Sequence, residues 1–180
     1  MESHAYSPWK PTSKNDLINI LRKCPICFKS TSYGDFIVYF HDLLSLPSKK
    51  LVSHKIANII VNAHYHWFLI TIFWRQKCLV VSDSQQSVST NENVMKYITQ
   101  FSQKHMLKPF FFSVNYQLLH HHTCGPVSVA LLAIINSTSS LLKFTKLRKR
   151  FSKNSTGQNE KYLLKLLKNH FKLHWYSAKE

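Results

Sequence analysis

Residues 66–83 run HWFLITIFWRQKCLVVSD, and the fold follows from how this stretch must lie. Trp67–Trp74 and Cys78–Ser82 are dense in β-branched and aromatic side chains, which suit a pleated, buried surface. Only Arg75, Gln76 and Lys77 separate the two runs, so they predict a tight antiparallel hairpin. Neither run alternates with polar residues, so both faces are expected to be covered and the strands to be central. With the turn centred on Gln76, His66 (just before the first strand) and Asp83 (just after the second) become diagonal neighbours at the open end. An aspartate beside an imidazole fixes its tautomer and supports its protonated form.

Upstream of the hairpin, Ser13 and Asp16 have capping-box spacing, and Leu17, Ile20, Leu21 and Cys24 mark one helical face that Pro25 ends. Phe36, Val38 and Phe40 alternate with Ile37 and Tyr39, as in a short strand or a buried turn. Ser53 opens an expected second helix with Ile56, Ala57, Ile59 and Ile60 crowded inside. Downstream, residues 91–106 predict a helix and Phe110–Val114 a third strand after Pro109. From Cys124 the chain is apolar nearly all round to Ile135, so a helix there must be central. Residues 137–158 are polar and basic and are expected as a loop marked by Gly157. Residues 159–172 predict an amphipathic helix, with Tyr162, Leu163, Leu166, Leu167 and His170 inside and Lys161, Lys165, Lys168 and Lys172 outside. The expected architecture is α+β: a flexible arm over residues 1–12, then one domain over residues 13–180 with a basic, helical C-terminal region.

A thiol reacts as thiolate, which a helix N-terminus and a neighbouring imidazolium both favour. Thr123-Cys124-Gly125-Pro126 puts a cysteine where a loop becomes a buried helix. Gly125 would let a substrate come close, and Pro126 suits the first helical turn, where its missing N–H is no loss. Gln117, seven residues before Cys124, offers a side-chain amide that could donate to an oxyanion together with the Cys124 N–H. Each residue also has a plain structural reading. Cys124 could be a small core residue, His66 and Asp83 a strand-end and a turn residue, and Gln117 an ordinary loop position. Trp67 could stack on the imidazolium or simply fill the core.

Charge is the outstanding bulk feature: 24 Lys and Arg against 8 Asp and Glu leave +16 over 180 residues. From Leu141 onward there are eleven Lys or Arg and two Glu. Such a field attracts polyanions, nucleic acid above all. Lys143, Lys146, Arg148, Lys149, Arg150, Lys153, Lys161, Lys165 and Lys168 are the expected DNA contacts, sequence-indifferent because no base-reading aromatic motif accompanies them. No apolar run is long enough to cross a bilayer, and the N-terminus has no signal-peptide core, so a soluble intracellular protein without membrane contact is expected. Cys24-Pro-Ile-Cys27 lacks a second ligand pair for zinc. The run His120–His122 could approach a metal with Cys124, but a solvated basic loop accounts for it, and no metal is expected.

The order His66-Trp67 at a strand start, Asp83-Ser84 after the next strand, then Gln117 and Cys124-Gly125, resembles that of the adenovirus protease (adenain) family and the related ubiquitin-like-protein proteases. The segments ANIIVNAHYHWFLITIF and NEKYLLKLLKNHF resemble the approach to that family's histidine and its C-terminal helix. The resemblance implies a mixed sheet packed on a central helix that carries the nucleophile. It assigns Cys124 as nucleophile, His66 as base, Asp83 as its orienting acid and Gln117 as oxyanion donor, with Trp67 and Gly125 at the substrate. It implies a monomeric viral thiol endopeptidase, needing no cofactor for its chemistry. That enzyme would cut capsid and core precursors after glycine during virion maturation in the host nucleus, with double-stranded DNA and a viral peptide as activators. Met106 stands where human adenovirus enzymes attach that peptide through a cysteine, so here the peptide is expected to bind non-covalently. Two alternatives remain: a peptidase that removes a ubiquitin-like modifier, using the same residues, and a basic DNA-packaging protein with no activity.

Overall fold

The computed structural model describes residues 12–22, 37–138 and 141–171. Five strands form one mixed sheet in sequence order: β1 (Ile37–Tyr39), β2 (Ile56–Ala63), β3 (His66–Phe73), β4 (Cys78–Ser82) and β5 (Lys108–Phe111). The middle pairs β2–β3 and β3–β4 are antiparallel, whereas β1 and β5 join the two sides in parallel. The expected hairpin is β3–β4, with Leu69 opposite Ser82 and Phe73 opposite Cys78, but Trp74 falls in the turn rather than in the strand. Both of its faces are covered, as the unbroken apolar runs require.

One face of the sheet, through Ile60, Trp67, Leu69, Phe73 and Val80, packs on α4 (Cys124–Thr138). Helices α1 (Lys14–Arg22), α5 (Leu141–Lys153) and α6 (Thr156–Phe171) enclose α4 from outside. That sandwiching is why α4 has no polar face. The opposite face, through Ile59, Phe68, Ile70 and Val81, packs on α3 (Glu92–Lys104) and on the 3-10 turn Phe40–Ser45, with the short helix α2 (Ser48–Val52) at the side. The fold is α+β, with a mixed sheet on a central buried helix.

The capping box of α1 is formed in both directions: Ser13 N–H donates to Asp16 Oδ2 at 3.0 Å, and Asp16 N–H donates to Ser13 Oγ at 3.1 Å. Three expectations fail. Ile56–Ala63 is a strand, not a helix, because every residue from Ala57 to Ala63 is buried in a sheet covered on both faces, and β-branched density outweighs the local spacing. The strand expected over Phe110–Val114 is instead Lys108–Phe111, so Phe112–Val114 lie beyond it, and it includes Pro109 on the sheet edge, where no ladder donor is missed. Residues 141–153 form helix α5 rather than a loop: Phe144 and Phe151 lie two turns apart and are buried beside Phe112. Gly157 sits inside the first turn of α6, where a Cβ would meet only Leu118 at 3.7 Å. Cys24, Cys27, Phe36, Lys172 and all of the N-terminal arm except Thr12 lie outside the described residues, as does the side chain of His170.

Candidate active site

The hairpin register delivers the first two residues. Strands β2 and β3 are joined by His64 and Tyr65, both at positive φ (51° and 67°), the twist that a two-residue hairpin needs. His66 is therefore fixed as the first residue of β3, paired with Ala63. Across the hairpin, Asp83 follows the last residue of β4. His66 Nε2 meets Asp83 Oδ1 at 2.5 Å. Asp83 is in turn held from behind: its Oδ2 accepts from Val88 N–H at 2.7 Å and Ser87 Oγ at 3.2 Å, and its Oδ1 from Gln85 N–H at 3.1 Å.

Cys124 opens α4, the helix whose N-terminal end points back at the hairpin. Its sulfur accepts the Trp67 N–H at 3.4 Å, which sets it against the start of β3, where it and the His66 ring influence each other electrostatically. Burial alone would lower the His66 pKa. The hydrogen bonds to Asp83 and Cys124, together with their charges, outweigh it and raise the imidazole to about 9. Burial would likewise raise Asp83, but the His66 hydrogen bond and charge, with the Val88 and Gln85 amides, bring it below the usual carboxylate range. His66 is thus an imidazolium at neutral pH, close to the sulfur of Cys124 at a helix start.

Gln117 reaches the site along a different route. After β5 the chain continues beside β4, with Phe112 N–H on Val81 O at 2.8 Å and Tyr116 N–H on Ser84 O at 3.0 Å. Gln117 is buried, and both ends of its amide are committed: Oε1 accepts from Ser84 Oγ, and Nε2 donates to the His121 carbonyl. These partners fix which end is oxygen and leave one N–H to donate. The structure thus joins His66 to Asp83 directly, sets the Cys124 sulfur on the amide of Trp67 next to His66, and ties Gln117 to Ser84, the residue after Asp83.

Trp67 and Gly125 also have structural work. The Trp67 ring is 4% exposed, and its Nε1 donates to the Thr12 carbonyl at 2.7 Å. A Cβ on Gly125 would lie 2.9 Å from Leu17 Cδ2 and 3.0 Å from Thr12 Cβ, so glycine here admits α1. The run His120–His122 divides: His121 turns its Nδ1 to Glu160 Oε1 at 2.5 Å, whereas His120 and His122 are more open. Among the described residues no group of three or more His, Cys, Asp or Glu could hold a metal ion. Cys78 is a free thiol buried in β4, and burial pushes its pKa up. The nine basic side chains from Lys143 to Lys168 are all exposed on α5 and α6.

The sequence reading passed over Glu160. It is 3% exposed on α6 and accepts from Leu118 N–H at 2.9 Å and Thr123 Oγ1 at 2.8 Å, besides His121. Its signal was present: Glu160 precedes the buried Leu163 and Leu167 by three and seven positions, which puts it on the inner face of α6.

No protein-family model and no curated protein matches this chain. Among solved structures it is similar to one described as the de-sumoylating protease, with a TM-score of 0.45 and 15% identity over 88% of this chain and 72% of that one. It is also similar to SUMO protease Ulp1 with the catalytic cysteine oxidized to a sulfenic acid, with a TM-score of 0.44 and 12% identity over 92% and 81%.

Proposed function

We propose that this chain is a thiol endopeptidase. One observation carries the reading: the Cys124 sulfur, at the start of a buried helix, accepts the N–H of Trp67, directly after a His66 whose Nε2 is held by Asp83 at 2.5 Å. That is the arrangement an activated cysteine needs, with a base to take its proton and a carboxylate to orient the base. The pair reacts as thiolate and imidazolium. Sulfur attacks the peptide carbonyl, and the oxyanion is held by the remaining Gln117 N–H and by Cys124 N–H, which has no partner within its helix. The imidazolium gives its proton to the leaving amine, which departs and leaves a thioester. Neutral His66 then draws a proton from water, hydroxide displaces the sulfur as thiolate, and the acid released gives its proton to solvent as the new carboxylate. Every proton is accounted for without a cofactor.

The resemblance to adenain supports cleavage after glycine in capsid and core precursors of a maturing virion, in the host nucleus, by a monomeric enzyme. The charge supports a role for DNA. Lys143, Lys146, Arg150 and Lys153 recur at helical spacing on α5, and Lys161, Lys165 and Lys168 do so on α6. Arg150 lies 4.5 Å over the Tyr162 ring, which joins the two stripes. The one acidic residue on these helices, Glu160, is buried, so their exposed faces carry only positive charge. Met106 is exposed and, as a thioether, forms no disulfide, so a stimulating peptide meeting it would bind reversibly.

Two measurements test the reading. A thiol-directed activity probe should label Cys124 and neither Cys78 nor the Cys124→Ala chain. Peptides with an internal glycine, offered beside a ubiquitin-like modifier fused through its C-terminal glycine, separate precursor processing from deconjugation. Absence of labelling at Cys124 would leave the basic packaging protein as the better account.

A further inference from the structure

We propose that Glu160 is a positioning residue that sets the oxyanion hole; this deepens, and rests on, the thiol-peptidase reading. The two donors of that hole, the Gln117 amide and the Cys124 N–H, stand at opposite ends of residues 118–123, which form no helix or strand. A free loop of this kind would let the donors drift apart. Glu160 ties it at both ends: its Oε2 accepts Leu118 N–H, directly after Gln117, and Thr123 Oγ1, directly before Cys124. Its other oxygen holds the His121 ring, and the His121 carbonyl is what the Gln117 Nε2 grips. One carboxylate therefore fixes the spacing of the donors and the aim of the amide. The neighbouring Asn159 anchors the same assembly, donating to the carbonyls of Asn115 at 3.1 Å and Phe151 at 2.9 Å.

A carboxylate buried to 97% would be costly without such partners, and three donors converge on it. The His66–Asp83 pair lies on the hairpin and has its own supports, so it should not depend on Glu160. Oxyanion geometry and thiol activation are thereby separable by experiment.

The test compares Glu160→Gln, which keeps an acceptor for Leu118 and Thr123, with Glu160→Leu, which keeps volume and loses all acceptors. The readouts are kcat and KM on a glycine-containing peptide, the rate of Cys124 alkylation by iodoacetamide (a reaction that forms no oxyanion), and thermal unfolding. Glu160→Leu should lower kcat by about a hundredfold, the scale of a misplacement near 1 Å. KM and alkylation should stay near wild type, and Glu160→Gln should recover most of the rate. In a Gln117→Ala background, Glu160→Leu should cost less than in the wild-type chain, since part of its effect acts through that amide and only the Thr123 tie remains. Wild-type kcat in Glu160→Leu, or alkylation falling in step with kcat, would overturn the proposal. Should Glu160→Leu not fold, Thr123→Val decides: a lowered kcat with normal alkylation supports the proposal, and an unchanged kcat overturns it. A wild-type chain that neither alkylates selectively at Cys124 nor cleaves would overturn the peptidase reading itself, a result distinct from an active enzyme indifferent to Glu160.

Discussion

The two walls of the site are built by opposite means. One wall is the hairpin end, where His66 and Asp83 are 17 residues apart in sequence and meet because two adjacent strands pair in one register. The other is the loop before α4, where Leu118, His121 and Thr123 are gathered by a carboxylate 42, 39 and 37 residues further along. The first wall is local geometry and would form wherever β3 and β4 pair. The second exists only once α6 has docked on α4. On the proposed reading, a site assembled this way can have its base and acid in place before its oxyanion hole works, and variants separate the two.

The largest effect should come from the residue both walls share. Cys124→Ala removes the nucleophile and should abolish peptide cleavage while far-UV dichroism and melting stay near wild type. His66→Ala should approach the same loss, and the double variant should be no worse than either, because the two act as one unit. Measurable turnover at the wild-type rate in Cys124→Ala would dissolve the comparison altogether.

Next in size is the second wall alone. Gln117→Ala should lower kcat by about a hundred- to a thousandfold, roughly 3–4 kcal/mol of transition-state stabilisation, with KM little changed. Loss confined to KM would make Gln117 a substrate contact instead.

Asp83, the support within the first wall, should give a smaller loss at neutral pH and a shifted pH profile when changed. His66 is raised to about 9, above its ordinary value near 6.5, by Asp83 and Cys124 acting against burial. In the proposed reaction its protonated form gives the proton to the leaving amine, so kcat/KM should fall as pH rises through about 9. The same raised pKa stabilises the fold fully below about 6.5, and that contribution is lost as pH rises through about 9. Asp83 has the opposite sign: with its pKa depressed, its contribution is present above the ordinary carboxylate value and fades as pH falls through the folded one. Asp83→Asn removes the main partner that raises His66, so the alkaline limb should move to lower pH. A limb that stays in place would show that Asp83 does not hold the imidazolium.

The same contrast explains what could be seen in the sequence. The hairpin was legible because β-branched and aromatic density on either side of a short turn suffices to place His66 beside Asp83, although the turn takes in Trp74 and is four residues long rather than three. The central helix was legible because only a wrapped helix can be apolar on every side. Residues 56–63 misled because Ile56, Ala57, Ile59 and Ile60 also fit a helical face, and only the sheet's second cover makes them a strand. Helix α5 was hidden because Phe144 and Phe151 are sparse among cations, and their burial beside Phe112 depends on a strand extension far away in sequence. Glu160 was hidden for a related reason. An acid on an inner face reads as an exception until the three donors that meet it are in view.

The smallest effect on the chemistry should come from the surface outside both walls. The exposed cations of α5 and α6 lie on a helix pair, not on the loop first expected, so their spacing is fixed and they can meet a row of phosphates without first being ordered. Binding that rests on phosphates alone should be indifferent to sequence and should weaken steeply with salt, each neutralised phosphate adding about 0.9 to the negative log–log slope on duplex DNA. An enzyme and precursors held on one polyanion meet by sliding along it, so DNA should speed cleavage of DNA-bound precursors far more than cleavage of a short neutral peptide. Arg148, Lys149 and Arg150 changed together to glutamate should remove that enhancement and leave peptide kcat/KM close to wild type. Arg148 also donates to Ser113 at 3.1 Å, and Arg150 covers Tyr162, so melting must be followed in parallel to show that α5 remains docked. With melting unchanged, salt-insensitive binding or undiminished stimulation by DNA would reduce these helices to a solvated face, whose only tie to catalysis is the inward-facing Glu160.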